Sequence, residues 1–178
     1  MQAVASPVRR PTALLPPTAV IRAQMEALQR NDYPEVNAGI KVAFDFAKPQ
    51  GVEEFTMGKG QPVVKACRTW EASERYLSMD GFELMLRQPM YSALINCTSW
   101  EISSALKFHG RGDNRAVQAV KVTAPVEAAG KEPSARTYSY TFCMERIETG
   151  AYKGCWLTVG LRLGDYTVEP PNESREVT

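Results

Sequence analysis

The sequence predicts an α+β fold in which N-terminal helices pack on one face of a curved antiparallel β-meander. Three observations carry that expectation. Apolar residues recur at helical spacing between Ile21 and Leu86, they alternate with period two from Trp100 onward, and short turn-rich segments join the alternating runs. Short connections imply antiparallel neighbours, and clean alternation implies a sheet with one face on a core and the other wetter. The helical half is the cover available for the apolar face.

Residues 1–17 hold Pro7, Pro11, Pro16 and Pro17 and read as a flexible Pro-rich arm. Thr18 stands where it can cap the first helix, whose stripe is Ile21, Met25 and Leu28 at i, i+4 and i+7. Arg22, Gln24, Glu26, Gln29 and Arg30 occupy its other faces. Asn31-Asp32-Tyr33-Pro34 ends it, because Pro34 biases Tyr33 away from helical backbone. A second helix is expected to begin near Pro34 and to bury Val36, Ile40, Phe44 and Ala47 before Pro49 stops it. Gly39 lowers its propensity by about 1 kcal/mol relative to alanine, which suits a site where a neighbour approaches closely. Residues 50–63 read as a loop, and residues 64–79 carry no decisive pattern. A third helix is expected over Asp80–Arg87, burying Phe82, Met85 and Leu86, followed by a short turn through Met90–Leu94.

The first strand runs from Trp100 to Phe108, with Trp100, Ile102, Leu106 and Phe108 inward and an interruption at Ser104. His109 to Asn114 is a turn by composition, Ala116–Val126 a second strand, and Glu127–Ser134 a mobile loop. In the third strand Tyr138, Tyr140, Phe142 and Met144 alternate with Thr137, Ser139, Thr141 and Cys143. The fourth places Cys155, Leu157, Val159, Leu161 and Leu163 on one face and Trp156, Thr158, Gly160 and Arg162 on the other. Gly160 inside that strand predicts a bulge or bend. The segment 166–178 is expected to be a disordered tail, leaving one domain over 18–165.

Composition limits the function classes. The chain has 178 residues, 44% hydrophobic and 23% charged, which suffices for one domain with its own core. A net charge of +1 argues against nucleic acid held through its phosphates. No apolar run reaches the roughly 18–20 residues that span a bilayer. The start carries Arg9 and Arg10 and no acid before Glu26, and its prolines break the apolar centre a secretory signal needs. It reads as a tail or as the remnant of an organelle-targeting peptide, so an intracellular protein is expected, with cytoplasm and a plastid-type organelle both open. Cys67, Cys97, Cys143 and Cys155 form no CxxC pair and read as reduced, buried thiols rather than metal ligands. The sequons at Asn96 and Asn172 matter only in a secreted chain.

Helices followed by a bent meander resemble the nuclear transport factor 2-like superfamily, whose α+β cone closes around a pocket. The residues Ile21-x-x-Gln24-x-x-Ala27-Leu28, Asn31-Asp32, Gly39-Ile40-x-x-Ala43-Phe44-x-Phe46-Ala47-x-Pro49 and Phe82-x-x-Met85-Leu86-x-x-Pro89-x-Tyr91 are similar to the family called domain of unknown function 4864. The likeness spans residues 18 to 94, and its strands agree in number and order. The resemblance implies the cone and assigns no chemistry, since the superfamily holds isomerases, dehydratases, cyclases and binding modules alike.

Chemistry-bearing residues are few. His109, the single histidine, falls at a strand-to-turn junction and reads as a surface residue, although any His-dependent nucleophile would have to recruit it. Asp45 and Glu101 are the carboxylates nearest core elements, and paired with a hydroxyl from Tyr91, Tyr138 or Tyr140 they would serve an enolising isomerase. Both fall off the apolar stripes and read more simply as solvated. Phe44, Tyr91, Trp100, Tyr138, Tyr140 and Phe142 are the candidate wall of a pocket, or else a core face. Thr141, Trp156 and Thr158 on the opposite face suit a sheet-to-sheet dimer. Arg111-Gly112-Asp113 reads as turn chemistry, and Gly58-Lys59-Gly60 lacks the spacing of a phosphate loop. The expectation is a non-catalytic binding or assembly module, a homodimer holding a small apolar ligand or a protein partner, without cofactor or metal. The alternative is a small-molecule isomerase or dehydratase, and the cone interior discriminates: converging carboxylate and tyrosine around a cavity of about 300 Å³ would favour the enzyme.

Overall fold

A computed structural model describes residues 9–47, 79–126 and 130–167, together with the backbone of 64–65 and 76–77. Expectations for residues 1–8, for the loop at 50–63, for Cys67 and for the segment 168–178 lie outside the described residues.

Helix α1 spans Pro17–Gln29, with Ile21, Met25 and Leu28 fully buried as their spacing requires. Its N-cap is Pro16 rather than Thr18. Pro17 takes the first helical position, where a missing N–H costs nothing. Thr18 falls inside the first turn and donates to Gln118 Oε1 at 2.7 Å. Helix α2 spans Ala38–Asp45 and starts later than expected. Asn37 holds left-handed backbone at φ 61°, its N–H donating to Asp32 Oδ1 at 3.0 Å, so residues 31–37 form a polar turn. Val36 therefore leaves the predicted stripe and is 72% exposed, while Ile40, Phe44 and Ala47 are buried.

The α1–α2 crossing is centred on Gly39. A Cβ there would lie 2.2 Å from Ala27 O and 2.9 Å from Asn31 Cα. Gly39 N–H donates to Asn31 O at 2.9 Å, so the absent side chain lets two backbones meet. Strands β1 (Val64–Lys65) and β2 (Tyr76–Leu77) form a short antiparallel ladder. Helix α3 spans Met79–Leu86, burying Phe82 and Leu86, and a 3-10 turn follows at Ser92–Leu94.

The main sheet has five strands: β3 (Ser99–Ile102), β4 (Lys107–His109), β5 (Arg115–Val126), β6 (Ser134–Arg146) and β7 (Trp156–Leu163). β3 and β4 both pair antiparallel with β5, then β6 and β7 follow in order. The expected first strand is thus two strands. Ile102 pairs with Val120 and Lys107 with Val117, so four residues face two at Ser103–Leu106. Ser104 repairs the gap, its Oγ accepting Ala119 N–H at 2.8 Å. The break carries Phe108 out to 48% exposure.

On β6 the even residues Tyr140, Phe142 and Met144 enter the core with the helices, as alternation required. On β7 alternation fails at one point. Met144 pairs with Thr158 and Cys143 with Gly160, leaving Val159 as an extra residue. Cross-strand partners share a face, so Trp156 and Thr158 lie on the helix side together with Leu161 and Leu163. Leu157, assigned to the core face by strict alternation, lies on the outer face and is 0% exposed. The bulge expected from Gly160 is present, and the α+β architecture of helices over one face of a bent antiparallel sheet is the one the sequence predicts.

Packing extends past both expected domain limits. Leu15 packs against the core, and Thr167 is buried. After Gly164 the chain doubles back over the outer face: Thr141 Oγ1 donates to Gly164 O at 2.8 Å and accepts Tyr166 N–H at 2.9 Å, and Lys107 Nζ donates to Thr167 O.

Candidate functional site

The aromatic residues expected to wall a pocket divide. Tyr140 is fully buried and donates its hydroxyl to Met90 O at 2.8 Å. Tyr91, also buried, stacks against it with ring centroids 6.5 Å apart and donates to Leu161 O at 3.2 Å. Desolvation pushes the Tyr140 hydroxyl well above its ordinary range, with the Tyr138 and Tyr91 hydroxyls adding to the rise. Phe44 packs edge-on against Phe82 at 5.4 Å. Trp100 and Tyr138 are half-buried, and Trp100 Nε1 donates to Gln29 Oε1 at 3.1 Å. Of the predicted wall, Phe142 alone lines the cleft described next.

That cleft opens at the seam between the helices and the bulged part of β7. It is lined by Gln24 and Leu28 of α1, Ala43 of α2, Ala47 just beyond it, Phe82, Met85 and Leu86 of α3, Phe142 of β6 and Thr158–Leu161 of β7, and encloses about 50 Å³. Small side chains at Ala43 and Ala47 leave the room. Its polar corner is Gln24, 3% exposed on the buried side of α1, whose Nε2 donates to Thr158 Oγ1 at 2.8 Å and more weakly to Val20 O at 3.4 Å. The sequence places Gln24 off the Ile21, Met25 and Leu28 stripe; its i+4 offset from the buried Val20 is the signal that marks it as buried.

The candidate acids and base lie elsewhere. Glu101 is exposed on the outer face, paired across the sheet with Lys121. Asp45 is exposed at the end of α2, where partial desolvation raises its carboxyl above the ordinary range and the Arg10 guanidinium offsets part of the rise. His109 is exposed at the end of β4. Among the described residues no group of three or more His, Cys, Asp or Glu could hold a metal ion. Cys97, Cys143 and Cys155 are buried thiols, and burial raises the Cys97 and Cys155 thiols. No helix among the described residues is long and apolar enough to cross a membrane.

A buried polar network stands where the sequence shows only a helix stop. Asn31 is fully buried; its Oδ1 accepts Ile40 N–H at 2.9 Å and its N–H donates to Asn96 Oδ1 at 3.1 Å. Asp32 accepts from Asn37 and Asn96, and Asn37 continues to Glu83 of α3 at 2.9 Å and to Arg87, just beyond that helix, at 2.6 Å. The Asn37 N–H, then the Asn96 amide and the Arg87 charge hold the Asp32 carboxyl below its ordinary range. The network ties all three helices to the segment entering β3.

Of the residues expected on a dimer face, Trp156 and Thr158 are on the helix side because of the Val159 bulge. Trp156 meets the Phe108 ring at 5.8 Å, and the Arg146 guanidinium lies 5.9 Å from its ring centre. Thr158 N–H donates to Phe46 O at 2.8 Å, which closes part of the β7 edge. Thr141 is on the outer face, beneath the returning chain.

Four solved chains show significant structural similarity. One, assigned as a calcium/calmodulin dependent protein kinase II association domain from Xanthomonas campestris, aligns with a TM-score of 0.43 at 17% identity over 82% of each chain. No family model and no curated protein matches this chain. The likeness of residues 18 to 94 to domain of unknown function 4864 thus has no family-model match behind it.

Proposed function

We propose that this chain is a non-catalytic binding and assembly module that self-associates as a homodimer through the outer face of its sheet. The observation that carries the reading is how its reactive groups are spent. The two buried tyrosine hydroxyls donate to backbone carbonyls, whereas Glu101 and Asp45 lie in solvent away from them. An enolising site needs a carboxylate and a hydroxyl converging on one substrate atom, and these four groups do not converge.

The outer face supplies a surface for a second copy. Ser99, Thr123 and Thr137 form one cross-strand row, and Glu101, Lys121 and Ser139 the next. A row of short hydroxyls is flat enough for sheet-on-sheet contact. Glu101 and Lys121 adjoin, so a two-fold axis can set each acid against its partner's base. The contact lies beside the segment Gly164–Thr167 rather than beneath it.

Native mass spectrometry at micromolar concentration tests the proposal. The expected species is twice the 19.8 kDa chain. Glu101→Lys should raise the dimer dissociation constant about tenfold or more, and Lys121→Glu added to it should restore association. A monomer mass at all accessible concentrations, or indifference to Glu101→Lys, refutes it.

A further inference from the structure

We infer that the cleft between the helices and β7 is a binding site for the hydroxyl end of a neutral, apolar primary alcohol. The inference rests on the binding-module reading and names the ligand chemistry of one site within it.

Gln24 is a buried amide in a stripe otherwise filled by Ile21, Met25 and Leu28. Such a group is tolerated only when its hydrogen bonds are made. Nε2 makes its bonds, to Thr158 Oγ1 and Val20 O. Among the described residues no hydrogen bond reaches Oε1, and that atom is not sealed from solvent; since Gln24 lines the cleft, its acceptor is left for the cleft's contents. Thr158 Oγ1 accepts from Gln24 and keeps its own proton to donate. The corner thus offers one acceptor and one donor side by side. A hydroxyl satisfies both at once: it donates to Gln24 Oε1 and accepts from Thr158.

The remaining walls decide between a water cluster and a carbon chain. Leu28, Ala43, Phe82, Met85, Leu86, Phe142 and Leu161 are apolar, and the lining holds no charged side chain that would select an ion. Only one corner would hold water well, because a buried water needs two to four polar partners. At about 50 Å³ the cleft takes on the order of three or four non-hydrogen atoms. The hydroxyl and first carbons of an alcohol fill it, and a longer chain leaves by the open side.

The test uses the full chain, 13C-labelled at leucine and alanine methyls, titrated with 1-hexanol and with 1-methoxyhexane, which keeps an acceptor and lacks the donor. Expected are saturable shifts confined to Leu28, Leu86, Leu161, Ala43 and Ala47, with the ether about tenfold weaker because it leaves Gln24 Oε1 unpaired. Gln24→Leu and, independently, Thr158→Val should each remove the preference for the alcohol, thermal melts confirming that at least one is folded. Equal affinity for alcohol and ether, shifts elsewhere, or no saturable shift, meaning the cleft holds water only, overturns the assignment. Such a failure is distinguishable from failure of the assembly reading, which the oligomer mass reports.

Discussion

Gly39→Ala isolates the contact that sets the α1–α2 crossing. In most helices the substitution stabilises by about 1 kcal/mol, because alanine is the best helix former and glycine among the poorest. Here the new methyl would sit 2.2 Å from Ala27 O, 2.7 Å from Ala27 C and 2.9 Å from Asn31 Cα. All three are backbone atoms of α1 and the turn after it, so no side-chain rotation relieves the clash. Separating the helices to van der Waals distance requires more than an ångström, which stretches the 2.9 Å Gly39 N–H···O Asn31 bond and the Ile40 N–H···Oδ1 Asn31 bond beside it. Overpacking costs about 1–3 kcal/mol and a weakened buried hydrogen bond about 1 kcal/mol more. Against the propensity gain the net loss is about 2 kcal/mol, or about 4–8 °C in Tm for a chain of this length. Urea unfolding followed by tryptophan fluorescence reads it as a lower midpoint at unchanged slope. Gly112→Ala is the control for backbone strain without crowding, since Gly112 has φ +65° and no atom within 4 Å of the added Cβ. It should cost about 1 kcal/mol. If Gly39→Ala is as stable as the parent or more so, the close approach is not what glycine is there for.

Asn31→Ala removes acceptors and donors from a fully buried hub and should cost about 2–4 kcal/mol in the same assay; a loss under about 0.5 kcal/mol would deny the network its role. Tyr140→Phe orphans Met90 O and should cost about 1–2 kcal/mol at neutral pH. Because the folded-state Tyr140 hydroxyl is raised, its contribution is whole below about pH 10 and is lost as pH climbs toward the folded value, so the variant should flatten the alkaline limb of a Tm–pH curve. Asp32 and Asp165 are both depressed, Asp165 by the Thr167 hydroxyl and N–H. Their contributions are present above about pH 4 and lost as pH falls through the folded values, so Asp32→Asn should shallow the acid limb; an unchanged limb refutes the assignment.

The helical half was legible wherever burial followed one stripe. Ile21, Met25, Leu28, Ile40 and Phe44 were each placed by spacing, and the close approach at Gly39 by an out-of-place glycine. What spacing could not reach was polar chemistry at helix ends. Asn31, Asp32 and Asn37 look like ordinary helix-stop and turn residues, yet Asn31 bonds to Asn96, 65 positions on, and Asn37 to Glu83 and Arg87, 46 and 50 positions on. Val36 was misplaced for the same reason: the turn held by Asp32 and Asn37 delays α2 until Ala38, and no local pattern announces it. Gln24 escaped because its partner Thr158 belongs to a strand whose facing was itself misread.

That misreading has a single origin. A strand's side-chain period is two, so one inserted residue reverses every assignment on one side of it. Val159 is that residue. Beyond it, Leu161 and Leu163 face the helices as strict alternation requires; before it, Leu157 and Trp156 exchange faces. Nothing in the run Trp156–Leu163 distinguishes the two arrangements, because Val159 and Leu157 are equally at home on either apolar surface. Gly160 marks that a bulge exists without saying which neighbour is extra. The register is fixed from outside the strand: Phe46 O accepts Thr158 N–H, Gln24 Nε2 reaches Thr158 Oγ1, and Tyr91 donates to Leu161 O. The Gln24 bond holds the Thr158 side chain on the helix-facing side, where Leu161 also packs against the core, and residues three apart in a regular strand cannot share a face. The bulge is therefore a requirement of the helix contacts, and the same shift that removes Trp156 from the outer face brings Thr158 and Gln24 into one corner.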